Sequence, residues 1–238
     1  MIAREKLITL LSSDNLKKIE DLLDGVLYEE KGVLFSEMCF LFLCSSQLGF
    51  SRIIESGRAR GQSTLLLAKM FPDREIISIE HDPNSPDVDI AKQRLEGFGN
   101  VHLKFGNSIE IIPKLIQHND IVLIDGPKGY RGVRLALKLL KSKKPLAVFL
   151  HDTTKNTSIR NFLERNIPNI LYSDDLQFSQ VLHTLDNGRV TLPEELKVNG
   201  KSGYGFSLAY IPFDCNEKYG SLLFKSIIAG AFHRWFGM

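Results

Sequence analysis

The sequence predicts an α/β protein built on a doubly wound, Rossmann-like sheet of seven mostly parallel strands with helices on both faces. Three observations predict it. From Ser51 onward, short β-branched runs alternate with longer helical patterns, which is how βαβ units read in a sequence. Acids stand at four strand ends, Glu55, Glu80, Asp125 and, just after His151, Asp152. Sheets of this class bind ligands beyond the carboxyl ends of their strands. The chain has 238 residues, 43% hydrophobic and 24% charged, enough for one sizeable core.

Residues 1–50 read as a helical segment packed ahead of the sheet. Their most apolar part, 33–50, is interrupted by Glu37 and falls short of the roughly 20 apolar residues that span a bilayer, so it reads as a buried helix. A domain over 51–213 follows, with strands expected at 52–55, 75–80, 101–105, 120–125 and 146–151. Helices are expected at 62–70, 87–98, 108–116, 132–140 and 157–165, with Pro, Gly and Asn as punctuation. Beyond them come a short run at 169–172, a polar stretch at 173–202 suited to a mobile lid or substrate loop, and strand-like alternation at 204–212. The tail, 214–238, reads as an apolar helix. Leu222, Leu223, Ile227, Ile228 and Phe232 recur near helical spacing beside Phe224, Trp235 and Phe236, which suits core packing or a homodimer ahead of a membrane surface, for which Lys225, His233 and Arg234 are few cations.

The 30 Lys and Arg against 28 Asp and Glu leave a formal charge of +2, so charge makes no case for a nucleic-acid partner. Cys39, Cys44 and Cys215 have neither CxxC spacing nor an even count, and they read as reduced core residues. The first residues lack the pattern of a secretory signal. A cytoplasmic protein without a transmembrane segment is expected.

The segment IIESGRARGQS sets Glu55, Gly57 and Gly61 in a strand-to-helix turn, where glycines let the backbone pass close to a ligand. It is not the GxGxxG of dinucleotide sites. Nineteen residues after Gly61, Glu80 ends the next strand, placed to accept hydrogen bonds from both hydroxyls of a ribose. The plainer reading is that these acids end strands and these glycines turn the chain.

Taken together, IIESGRARGQS, IISIEHDP, GNSIEIIPKL and IVLIDGPKGY resemble the class I S-adenosylmethionine (SAM)-dependent methyltransferases. Within them they are most similar to the small-molecule O-methyltransferases of the catechol and caffeoyl-CoA type, over about residues 34–152. The resemblance implies that Glu55 and Gly57 lie against the methionine part of SAM, with Gly61 and Ser63 opening the next helix. It further implies that Glu80 holds the ribose, that His81, Asn107 and Ser108 border the adenine, and that Asp125 closes the site under the sulfonium. Catechol-type enzymes end the fourth strand in Asp-x-x-Lys, with the Asp on Mg²⁺ and the Lys as base. Asp125 and Lys128 match that pattern, and Asp152 matches a second metal ligand, but Thr153 stands where the family has Asn. A hydroxyl is a poorer ligand than an amide carbonyl. Mg²⁺ on Asp125 and Asp152 is therefore a candidate second cofactor, against Asp125 binding the SAM amino group and Asp152 capping a helix.

A hydroxyl acceptor must lose a proton. Lys128 and His151 are the two candidates, since imidazole titrates near neutrality and a lysine does so when desolvated. Tyr130 and Arg131 either line an acceptor pocket or begin the next helix. The expected function is methyl transfer from SAM to a small acceptor, a sugar or phenolic hydroxyl. The alternatives are a non-catalytic SAM- or nucleoside-binding module, a nicotinamide-dependent oxidoreductase, or aminopropyl transfer.

Overall fold

The structure, a computed structural model, describes residues 4–29, 32–190 and 206–236. Three helices lead in: α1 (Arg4–Leu10), α2 (Ser13–Leu23) and α3 (Phe35–Ser45). The body alternates β1 (Arg52–Ser56), α4 (Gln62–Met70), β2 (Glu75–Glu80), α5 (Asp87–Leu95), β3 (Val101–Phe105), α6 (Ser108–Leu115) and β4 (Asp120–Ile124). It continues through α7 (Tyr130–Lys141), β5 (Pro145–Leu150), α8 (Ser158–Asn166), β6 (Leu171–Tyr172), α9 (Leu176–Leu182), β7 (Ala209–Pro212) and α10 (Tyr219–Phe236).

The seven strands lie in the order β3-β2-β1-β4-β5-β7-β6. The first five pair in parallel, and β7 enters antiparallel between β5 and β6. The order reverses beside β1, between β1 and β4, and a crevice opens at the carboxyl ends there. Because side chains alternate along a strand, neighbours in sequence serve opposite layers. Ile53, Ile121 and Phe149 join the layer under α1 to α4 and α9, whereas Ile54, Val122 and Val148 join the layer under α6, α7, α8 and α10. At the amino ends, Arg52 donates to the buried Asp120 from Nε at 3.0 Å and from Nη2 at 2.8 Å. That pairing satisfies a carboxylate that would otherwise be costly to bury.

Three expectations change in the structure. The stretch at 173–202 is not simply loop: Phe178, Leu182 and Leu185 are buried through α9 and a 3₁₀ turn (His183–Leu185), with Phe178 packed 5.9 Å from Phe40 between ring centroids. Residues 191–202 lie outside the described residues, as do 204 and 205 of the expected last strand. Cys39 and Cys44 are buried, but Cys215 is exposed. The tail packs Tyr219 and Leu222 on the core yet leaves Phe224 and Trp235 in water. Among the described residues, no helix is long and apolar enough to cross a membrane.

Phe149 is fully buried on the central β5 strand. Phe149→Ala is expected to lower stability by about 3–5 kcal/mol, read as a reduced midpoint in urea unfolding with an unchanged slope.

Candidate functional site

Two turns form the floor of the crevice. The chain leaves β1 through Gly57 at φ +89°, a conformation with little strain only for glycine. A Cβ on Gly57 would sit 2.9 Å from the Gly126 nitrogen. The Ser56 carbonyl accepts from the N–H groups of Asp125 and Gly126 at 2.8 and 3.0 Å. The turn after β1 is thereby stitched to the turn after β4, and no side chain fits between them.

Gly57, Glu80, His81, Asn107, Ser108, Gly126, Pro127 and Arg131 line an open cleft of about 250 Å³ over this floor. The structure thus brings together five of the residues expected at a cofactor, Gly57, Glu80, His81, Asn107 and Ser108. Glu80 accepts from the Ala59 N–H at 2.9 Å and from the His81 N–H at 2.7 Å, which anchors the glycine turn to β2. The Asn107 side chain accepts from the Ile109 N–H and caps α6, so that helix presents its N-terminus to the cleft.

Other expected residues lie elsewhere. Glu55 is fully buried, and its carboxylate accepts from Ser63 at 2.5 Å, from Ser78 at 2.6 Å and from Thr64. It is a pillar inside the β1–α4 unit, turned away from the cleft, and Ser63 is committed to it. Burial pushes the Glu55 carboxyl up despite those three donors. Gly61 sits at φ +79° at the start of α4, where a Cβ would crowd Ala91 and Leu95 at 3.3 Å. Arg131 borders the cleft, while Tyr130 opens α7 and donates to the Ser158 carbonyl at 3.1 Å.

Beside the cleft the acids gather. Lys128 Nζ lies 2.7 Å from both Asp125 Oδ1 and Asp152 Oδ2. His151 Nδ1 lies 2.8 Å from Asp125 Oδ1 and 3.2 Å from Asp152 Oδ1, and Nε2 lies 3.1 Å from Glu37 Oε2. Burial works against a charged imidazole, but the charges of Glu37 and Asp125 and the hydrogen bonds to Asp125 and Asp152 hold His151 well above its usual range. The two carboxylates likewise raise Lys128 against the burial that opposes them. Burial alone would raise Asp152, but His151 and Lys128 bring it down to about 2. Asp152 stands at φ +62°, strained for a non-glycine residue. It does not cap the following helix, because the Thr157 hydroxyl does so by accepting from the Arg160 N–H at 3.2 Å.

Asp125, His151 and Asp152 each bring a donor atom within 4.8 Å of the others, a set able to hold a divalent cation. The Thr153 hydroxyl is spent on the Ser207 carbonyl at 2.9 Å. A cation there would displace the Nδ1 proton of His151, which would keep its Nε2–H on Glu37, the carboxylate–histidine arrangement of metal sites.

Two residues of this site were not expected from the sequence. Glu37 is the one charge in the apolar run 33–50, and that isolation was a signal, since a buried acid needs a partner. Arg58, nearly fully buried, donates to the Ser78 carbonyl at 2.9 Å and lies 5.0 Å over the Phe105 ring. In a turn of charged residues it reads as solvated, and no sequence signal marks it.

His151, raised in the folded state, contributes stability fully below about pH 6.5 and loses it as pH rises through the folded value. Asp152 contributes above about pH 4 and loses its contribution as pH falls toward about 2. Glu37→Gln keeps the shape and removes one charge. It is expected to move the His151 titration midpoint down toward the ordinary imidazole range, followed by NMR of the ring protons.

Residues 54–153 match a family described as a methyltransferase domain. No curated protein matches the chain. Among solved structures, the chain is similar to the S-adenosylhomocysteine-bound methyltransferase PaMTH1 of Podospora anserina, at 14% identity and TM-score 0.49, covering 85% of this chain and 88% of that one. It is also similar to the O-methyltransferase TomG of Streptomyces achromogenes in complex with SAM, at 17% identity and TM-score 0.48, covering 90% and 100%. The strand order, with β7 antiparallel beside β5, departs from the 3-2-1-4-5-6 order of dinucleotide-binding sheets. The matched stretch runs from within β1 to just past β5 and holds every residue of the cleft.

Proposed function

We propose that this protein transfers the methyl group of SAM to a hydroxyl of a small molecule, a sugar or a phenol. The observation that carries the reading is the meeting of Asp125, Lys128, His151 and Asp152 directly beside the cleft lined by Gly57, Glu80 and Asn107. A nucleoside fits that cleft: Glu80 would take the ribose hydroxyls, and the capped N-terminus of α6 would face the base. SAM would supply a methyl group on a positively charged sulfur, and the carboxylate of Asp125 would face that charge.

In the transfer, the acceptor oxygen forms a bond to the methyl carbon as the carbon–sulfur bond breaks, and the hydroxyl proton passes to a base. Alignment of the two reactants supplies much of the acceleration. His151 is locked between Glu37, Asp125 and Asp152, is 9% exposed and is held charged. It suits positioning. Lys128 has a long stem and is 41% exposed; we assign the acceptor proton to it once it has swung away from the two carboxylates that hold it charged and released its own proton to solvent. A divalent ion held by Asp125, Asp152 and His151 would supply the positive charge that lowers the acceptor's pKa.

A second recess, of about 400 Å³, adjoins the cluster and is lined in part by Leu34, Asp174, His183, Asp186, Asn187 and Phe206. Leu34 donates its N–H to Glu37, and Phe206 donates its N–H to Thr154, two residues beyond Asp152. Carboxylates and an amide there suit an acceptor rich in hydroxyls.

Isothermal titration with SAM, and separately with NAD⁺, tests the cofactor. Binding of SAM is expected to weaken at least about tenfold in Glu80→Ala, which removes charged hydrogen bonds; preference for NAD⁺ would overturn the reading. With SAM bound, Lys128→Ala is expected to lower kcat by about 10²–10⁴ on a hydroxyl acceptor. Full activity in excess EDTA would rule out the metal.

A further inference from the structure

Helix α10 is apolar on two opposite sides. Tyr219, Leu222 and Ser226 are buried on the body of the protein. On the far side, Phe224, Ile228 and Trp235 stand 65%, 43% and 81% exposed, with Ile227 at 47% beside them. Steps of four and seven residues keep those three side chains on one line along the helix. Isolated exposed apolar residues are ordinary, but a continuous stripe of large ones marks a docking surface.

The charge around the stripe indicates what it meets. Helix α10 packs against α7, and together they carry Arg131, Arg134, Lys138, Lys141, Lys225 and Arg234 with no Asp or Glu. The chain as a whole has a formal charge of only +2, so these two helices concentrate the positive charge. A second copy seated stripe on stripe would bring these cations against their own kind, with no acid in either helix to answer them. A flat anionic surface answers all of them at once. Among the described residues, no helix is long and apolar enough to cross a membrane.

We propose that α10 docks along an anionic lipid surface, its Phe224, Ile228 and Trp235 side chains entering the boundary between headgroups and acyl chains, with the cations of α7 and α10 over the phosphates. The end of α10 runs beside the start of α7. A Cβ on Gly230 would sit 3.0 Å from Tyr130 Cβ, and the His233 ring lies 5.9 Å from the Tyr130 ring, tilted by 52°. Tyr130 follows Lys128 by two residues, so the body-facing side of α10 is joined to the turn that carries the polar cluster.

Trp235 is the only tryptophan in the chain, so intrinsic fluorescence reads the docking directly. The full chain is mixed with vesicles of phosphatidylcholine alone or with added phosphatidylglycerol, and co-sedimentation is measured in parallel. Expected is a blue shift of the emission with the anionic vesicles, with binding reduced about tenfold in F224E/I228E, a variant that keeps the probe and alters only exposed positions. No partition onto anionic vesicles, equal partition onto neutral ones, or unchanged binding by F224E/I228E would each overturn the proposal. So would an already blue-shifted Trp235 in a protein that light scattering shows to be dimeric without lipid. Because binding is read without methyl transfer, the outcome stands apart from the proposed reaction.

Discussion

Carboxylates buried at a sheet edge must be compensated, and at this edge the compensation is shared. Glu37, Asp125 and Asp152 come from α3, from the end of β4 and from the end of β5, and one imidazole touches all three. Removing any one partner would leave charges in a poorly solvated place, a far larger penalty than an exposed ion pair returns. The position of α3 against the sheet, the strained backbone of Asp152 and the resting place of Lys128 all follow from that requirement. Through the Leu34 N–H on Glu37, the start of α3 belongs to the same network, so the N-terminal helices are tied to this polar cluster and are not merely packed beside it.

Glu55 and Glu80 show how small differences in placement divide similar residues. Both are acids at the ends of adjacent parallel strands. Glu55 falls on the face covered by α4, where Ser63, Thr64 and Ser78 supply hydroxyl donors, and it becomes internal structure. Glu80 stands one residue beyond the register of β1, where nothing covers it. It takes two backbone N–H groups and keeps a surface on the cleft. Only the second remains available to a ligand.

Much of the architecture was legible along the chain. Runs such as IIES, EIISIE and DIVLI are too apolar and too β-branched for anything but buried parallel strands, and β2 and β3 have the limits that the sequence predicts. The glycine turn after β1 was legible because Gly57 and Gly61 stand between a β-branched run and a helical pattern, but that Gly57 makes room for the β4 turn appears only in the structure. Less legible was the stretch after β6, where polar residues outnumber Phe178, Leu182 and Leu185 and hide the short α9 they build.

By itself, then, the sequence determined the order of elements, the parallel core and the rim on which the acids would stand, because these rest on local periodicity and on turn chemistry. Tertiary structure alone decided which acids face inward, since that depends on what packs over each strand end. It brought Glu37 to His151 across 114 positions, slid β7 antiparallel between β5 and β6, and left one face of α10 uncovered. Each of these is a contact between distant segments, and no local pattern records a partner that lies a hundred residues away.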